Sequence, residues 1–278
     1  MGSNRESVPE LGIALPTSSP LGAGHLLSLI EACTGTARNN HAALILLAGR
    51  HGPTSQIQNI PLVPLVMEAA PGIPVAPLII APVWPAQLLL EQLRSLSLLG
   101  DHLGNRLVPV LATGTDQPVP GTNQNQGQLR GIAMDIAFEM VLDEGLEPWV
   151  AAESGPALRR AARARGWISN ATYDDDELTA QLDVVGSVPI RAVRRDIICS
   201  ADGKDATARA DQLLAEGYRP GMSSRHVIAG DIDECSDEIL RLADRGFTHV
   251  LLRPMESDPE TAATTIDTVF SIVIDARP

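Results

Sequence analysis

Residues 153–156, Glu-Ser-Gly-Pro, set a carboxylate and a hydroxyl directly before a proline-led helix start. The run before them, residues 149–152, is short and apolar and reads as a strand; the run after them, rich in Ala and Arg, reads as a helix. Ser154 stands at the N-cap position and Pro156 in the first turn, where a missing N–H costs nothing. A helix opening just past a strand end offers free N–H groups and a positive dipole end, which suits a phosphate. The alternative is that Ser154 only caps its own helix. Arg50 and His51 form a second candidate, in a Gly-flanked turn directly after an apolar run. There an imidazole can exchange a proton near neutral pH and Arg50 can hold an anion; otherwise both are simply solvated loop residues.

Arg191, Arg194, Arg195 and Asp196 make the densest basic cluster of an acidic chain, for which an internal Arg–Asp pair is the simpler account. Arg159, Arg160, Arg163 and Arg165 share one expected helix, where a solvated face explains them. The sequence carries no HExxH, CxxC or Gly-rich phosphate loop, and no metal site is expected.

Elements to position these groups follow from the apolar pattern. Strands are predicted at residues 11–15, 42–47, 74–80, 106–112, 149–152, 167–169, 190–199 and 248–252. Helical spacing falls between them, at 24–37, 61–69, 84–99, 129–142, 176–182, 204–216, 233–245 and 261–274. Strand–helix alternation implies a parallel sheet, and eight units close into an α/β barrel of the (β/α)8 TIM type. A doubly wound open sheet is the alternative, but no GxGxxG follows the first strand. In such a barrel function gathers on the loops after the strands. That puts Thr17, Arg50, His51, Ala81, Thr113, Glu153, Ser154, Asn170, Ser200 and Arg253 around one mouth. The polar stretch 113–128 is long enough to be functional. A face carrying Leu62, Val66 and Met67 is either a dimer surface or core.

The chain of 278 residues, 44% hydrophobic, can bury a full core; it is read as a flexible tail over 1–10 and one domain over 11–278. Apolar runs are too short to span a membrane, and the N-terminal residues lack a secretory core. Scattered cysteines at 33, 199 and 235 suit a reducing cytoplasm. A net charge of −13 argues against nucleic acid and anionic membrane surfaces. Aromatics at 3% leave little to stack on a flat-ring cofactor.

Several stretches together resemble the bacterial luciferase family of flavin-dependent barrels. Ala152-Glu153-Ser154 is similar to the family's Ala-Glu-Ser after strand five, and Leu47 to His51 (LAGRH) to its histidine-bearing turn after strand two. LEQLRSLSLLGDHLGNRLVPV at 90–110, Val193-Arg194-Arg195-Asp196-Ile197, Gly217-Tyr218-Arg219 and the closing segment 230–254 follow the family's order and spacing. The resemblance covers nearly the whole chain, from about residue 11 to 274. It implies a luciferase-like barrel that uses reduced FMN and oxygen to oxidise an apolar small molecule, or else F420 for hydride transfer. A separate flavin reductase and a homodimer or a heterodimer with a homologue are implied partners. By the same likeness His51, with Arg50, handles the proton. Glu153, Ser154 and Gly155 hold the phosphate, Arg130 stands in for a phosphate-binding arginine, Ala81 with Pro82 backs the ring, and Thr113 is a further cofactor-binding residue. The sequence departs from the family at Gly49 and Arg50, at Thr113, where an arginine is usual, and at Ala157, where a hydroxyl is usual. The insertion after strand seven is short. These losses also suit a degenerate, non-catalytic partner subunit.

Overall fold

The computed structural model describes residues 8–17, 22–48, 58–114, 126–218 and 221–275. Seven strands follow one another around a ring: β1 (Glu10–Leu15), β2 (Ile45–Leu47), β3 (Val75–Ile80), β4 (Val110–Ala112), β5 (Trp149–Ala151), β6 (Gly166–Ile168) and β7 (Ile190–Cys199). After β8 (Val227–Gly230), β9 (His249–Pro254) inserts between β7 and β1 and closes the ring, with every pairing parallel. The expected (β/α)8 barrel is therefore observed, its eighth stave being β9. The extra strand β8 lies off the ring. It pairs with β7 at 196–199, above the level at which β6 pairs with β7. Its brevity, four residues after a 3₁₀ turn, left no periodicity to read in the sequence.

Around the ring run α1 (Ala23–Asn39), α2 (Asn59–Ala69), α3 (Ala86–Leu103), α4 (Gln126–Asp143), α5 (Gly155–Ala161), α6 (Asp175–Val185), α7 (Gly203–Ala215), α8 (Ile232–Asp244) and α9 (Pro259–Asp275). The starts of α6 and α8 are fixed by capping boxes, Asp174 with Glu177 and Asp231 with Glu234. α3 stops at Gly104, whose φ of 72° is a left-handed cap that glycine adopts without a Cβ clash. Asn105 then donates to the carbonyls of Ala70 and Ile73 at 2.8 and 2.9 Å, locking the chain into β4.

Alternation along the strands divides the core into two shells. The inward shell, the barrel filling, contains Ala14, Leu44, Leu46, Ala76, Val108, Val110, Trp149, Ile168, Ala192 and Leu251. The outward shell packs under the helices and is larger; it includes Ile13, Ile45, Val75, Trp167, Val193 and Val250. Near the closed end Trp149 meets His249 edge-on at 5.7 Å, and Gly166 makes the room. A Cβ on Gly166 would lie 2.7 Å from the Trp149 ring.

Proline in β3 is tolerated because the ladder yields to it. Pairing between β3 and β4 consists of an isolated bridge, Val75 with Leu107, and a ladder beginning at Leu78 with Val110. Pro77 and Pro109, which have no N–H to give, fall in the gap. Leu62, Val66 and Met67 are core residues under α2, so that face is not a surface for dimerisation. Among the described residues no helix is long and apolar enough to cross a membrane.

Candidate active site at the barrel mouth

The strand registers bring the expected residues to one level. Ile80 lies beside Ala112, Ala112 beside Ala151, Ala151 beside Ile168, and Ile168 beside Ala192. The residues just beyond them therefore form one arc: Ala81 after β3, Thr113 and Gly114 after β4, Glu153 to Gly155 after β5, and Asn170 after β6. Ala81 opens a single 3₁₀ turn through Val83 and is buried. Gly114 has φ 78°, and a Cβ there would strike Ile80 at 2.9 Å. The Arg130 guanidinium from α4 comes within 3.7 Å of the same point. Arg130 is thus drawn to the end of β4, near where the usual strand-four arginine is missing.

Ser154 occupies the N-cap of α5, but its hydroxyl makes no capping bond. The capping role is left to backbone alone, with Leu158 N–H donating to the Ser154 carbonyl at 2.8 Å. The hydroxyl stays exposed at the mouth. α5 is only seven residues long, so its dipole adds little, and any anion held here depends on side chains. Arg159 passes Gly155, its Nη1 3.6 Å from where a Cβ would sit. The rest of that arginine face is not merely solvated. Only Arg159 and Arg160 lie on α5, which ends at Ala161, so the four arginines do not share one helix. Arg160 pairs with Asp135 of α4, and Arg163, in the turn after α5, with Glu139 of α4 at 2.7 Å.

Glu153 is the most connected acidic group of the arc. Its carboxylate accepts from Asn170 Nδ2 at 2.7 Å, hydrogen-bonds Tyr173, and faces the charge of Arg194. Burial lifts its pKa above the usual carboxylate range, and the bonds from Asn170 and Tyr173 and the charge of Arg194 offset this only in part. The residue is exposed, and its carboxylate is held to the rim by the bond from Asn170. Burial first, and Glu153 second, lift the Tyr173 phenol. Perturbed groups meeting in a barrel mouth are what a proton-handling site requires.

The basic cluster on β7 divides by side of the strand. Arg194 and Asp196 share the inward face with Ala192, whereas Arg195 points out and is 2% exposed. Arg195 donates to the Tyr173 carbonyl at 3.1 Å and the Ala171 carbonyl at 3.5 Å. It therefore holds the loop that carries Asn170 and Tyr173. Arg191, at the closed end, ties down the Gly246 and Val188 carbonyls at 2.6 and 3.1 Å. Arg253, on the inward face of β9, is opposed by burial but supported by Tyr218 and Asp196, which leave its pKa above the ordinary value. Its Nε is buried without a hydrogen-bond partner among the described residues.

Arg50 and His51 lie outside the described residues, so their placement is not part of the observed arc; Ala48, just before them, faces the barrel interior. Asn170 and Arg253 were expected at the mouth as loop residues. Arg194, Tyr173 and Asp196 were missed as site residues. The period-two pattern Ala192-Arg194-Asp196 carried the signal for two of them.

No known family profile matches the chain, and no curated protein matches it in sequence. Solved structures do match, along nearly the whole length. MsnO8, solved in its apo form, superposes with a TM-score of 0.77 at 14% identity, over 97% of this chain and 99% of the other. The oxygenating constituent of 3,6-diketocamphane monooxygenase from Pseudomonas putida, a type II Baeyer–Villiger enzyme solved with FMN, gives 0.74 at 15%, over 97% and 99%. The fold is a (β/α)8 barrel shared with these monooxygenases. The F420-dependent tetrahydromethanopterin reductase of Methanopyrus kandleri shares it as well, at 0.73 and 12% over 97% and 99%. At these identities the likeness is one of architecture, and the chemistry of this barrel rests on the residues of its own mouth.

Proposed function

We propose that this luciferase-like barrel is an oxidoreductase that binds reduced FMN at its mouth and uses it with dioxygen to oxidise a small molecule. The observation that carries the reading is the arc itself: Ala81, Thr113, Arg130, Glu153, Ser154 and Gly155 come together at the ends of three adjacent strands. The residues fit the group. The Ser154 hydroxyl, which makes no capping bond, with Arg159 near Gly155 and Arg130 near Gly114, supplies hydrogen bonds and positive charge for a phosphate. Thr113 and Gly114 leave a small-residue rim against which a planar ring can lie, which matters in a chain with few aromatics, whereas Ala81 is packed into the outer core and supports that rim from behind.

Bound reduced flavin supplies two electrons to oxygen. The chain's own residues orient and protonate. Arg130 and Ser154 fix one end of the cofactor. Glu153, poised by Asn170 and Tyr173, exchanges a proton at its carboxylate, and His51 with Arg50, in the turn that follows β2 in sequence, is the proton-transfer pair. The buried barrel filling keeps water out from below, the partly buried Leu78 and Ala151 toward the mouth receive the apolar body of the substrate, and Arg194 and Arg253 meet its polar end. A separate flavin reductase and a dimeric assembly complete the proposal.

A second reading, hydride transfer from F420, is favoured by one observation: the F420-dependent reductase superposes about as well as the FMN-bound monooxygenase. An anaerobic titration with reduced FMN, oxidised FMN and F420, followed by absorbance or fluorescence, separates the two. Selective binding of reduced FMN supports the monooxygenase, and selective binding of F420 replaces it with the deazaflavin enzyme. Binding of neither leaves the non-catalytic partner subunit as the reading for the isolated chain.

A further inference from the structure

Cys199 and Cys235 come together away from the mouth. Cys199 is the last residue of β7 and pairs in register with Gly230 at the end of β8. Cys235 lies in the first turns of α8, with its sulfur 3.8 Å from both the Gly230 and the Ile198 carbonyl oxygens. Cys199 directly follows Ile198 in the chain, so the carbonyls that meet the Cys235 sulfur flank Cys199 along β7 and across to β8. Both are free and buried, in the layer between the barrel and its helices. Cys33, the remaining thiol, lies on α1 in another part of that layer, where burial holds its pKa up at about 12.

We propose that Cys199 and Cys235 form an oxidisable dithiol that hydrogen peroxide converts to a disulfide, clamping the end of β7 to the start of α8. Geometry supports this. The Cα of Cys199 is in register with Gly230, and the Cys235 sulfur lies 3.8 Å from the Gly230 carbonyl and from the carbonyl of Ile198 just before Cys199, so rotation about the side-chain bonds can bring the two sulfurs to the ~2.05 Å of a disulfide. The roles of the two sulfurs differ. Cys199 is 9% exposed and Cys235 0%, so a peroxide reaches Cys199 first. The neighbouring Cys235 also lowers the pKa of Cys199, against opposition from burial and from Asp231 and Glu256, while Cys199 and burial raise Cys235 above an ordinary thiol. Cys199 is therefore the first nucleophile and Cys235 the resolving thiol.

In the first step the Cys199 thiolate attacks one peroxide oxygen. An S–O bond forms, the O–O bond breaks, and the departing hydroxide takes a proton to leave as water. In the second step the Cys235 sulfur attacks the sulfenic sulfur. An S–S bond forms, the S–O bond breaks, and the Cys235 proton leaves with the hydroxide as a second water. Two thiols and one peroxide give one disulfide and two waters, the two electrons passing from sulfur to peroxide. The proposal does not depend on which cofactor the mouth accepts.

The test uses the full-length reduced protein. It is treated with increasing hydrogen peroxide, quenched with an alkylating reagent under denaturing conditions, and analysed by intact mass and peptide mapping. The expected product has lost two alkylatable thiols and carries a Cys199–Cys235 cross-link that dithiothreitol reverses, with Cys33 still alkylated. In C235S the same treatment leaves Cys199 as a sulfenic acid that a dimedone-type probe captures. Three free thiols after peroxide excess, a link involving Cys33, or over-oxidation of Cys199 beside an untouched Cys235 in the wild-type chain would each overturn the proposal.

Discussion

The Arg195 guanidinium donates to the carbonyl of Tyr173 at 3.1 Å, so a side chain on the outer face of the barrel sets a loop on its rim. Its 2% exposure and its second acceptor, the Ala171 carbonyl, make the arginine a buried strut, with the charges of Glu238 and Asp175 nearby to offset its desolvation. Replacing it by Met leaves two carbonyls short of a donor. Arg195→Met is expected to lower unfolding free energy by about 2–4 kcal/mol in a urea titration. A change below ~0.5 kcal/mol would show that the strut does not matter.

Ser154→Ala separates capping from binding. An N-cap serine normally contributes about 1 kcal/mol through its hydroxyl, but here that hydroxyl bonds nothing in the helix. Thermal stability should stay within measurement error, while affinity for reduced FMN falls about tenfold. Arg130→Ala should weaken binding by roughly ten- to a hundredfold, the loss of one charge-assisted bond. If Ser154→Ala destabilises the fold and leaves binding unchanged, the hydroxyl is a cap after all.

Gly166→Ala tests the packing at the closed end. The new methyl would sit 2.7 Å from the rigid ring of Trp149, which is itself wedged against His249. An expected cost of about 1–3 kcal/mol follows from forcing a buried ring off its place. It is checked by denaturation, with Gly24→Ala, where a Cβ meets nothing within 4 Å, as the reference substitution.

Glu256 predicts a pH dependence. Its Oε1 accepts from Thr265 at 3.1 Å and Arg209 at 3.4 Å, while Oε2 is buried without a partner. Burial outweighs those bonds and raises the pKa. A carboxyl whose folded pKa exceeds its unfolded one binds more protons in the native state, so its contribution to stability falls as pH rises through that window. Glu256→Gln should therefore be more stable than wild type at pH 7, the gain fading below about pH 4, where both forms are neutral. Urea midpoints measured across that range decide it, and a gain that grows on acidification would contradict the assignment.

Much of this was legible because burial on both faces of a parallel strand leaves a continuous apolar run, as at 42–47 and 190–199. Strand ends were less so. Only Val110–Ala112 of the run 106–112 pairs continuously, because Pro109 interrupts the ladder and no propensity reveals where pairing resumes. The arc of Ala81, Thr113, Glu153 and Ser154 could be placed because position after a strand is enough to assign a residue to the mouth. Tyr173 could not, since it reaches Glu153 only through a loop whose path is set by Arg195, a contact between residues 22 apart in sequence. Whether Ser154 caps or binds was equally hidden, because both uses demand the same residue at the same position.

β7 closes the ring with β6 through residues 190–192, then hands the same edge to β8 at 196–199. Closure of the barrel and shaping of its rim are thereby assigned to different lengths of one strand. The chain between α7 and α8, which delivers β8, therefore touches none of the pairings that close the ring, although Ile228 ties it to the main core. Arg194 and Asp196 sit at the changeover, so the inward charge of β7 lies where the strand stops serving closure and starts serving the rim.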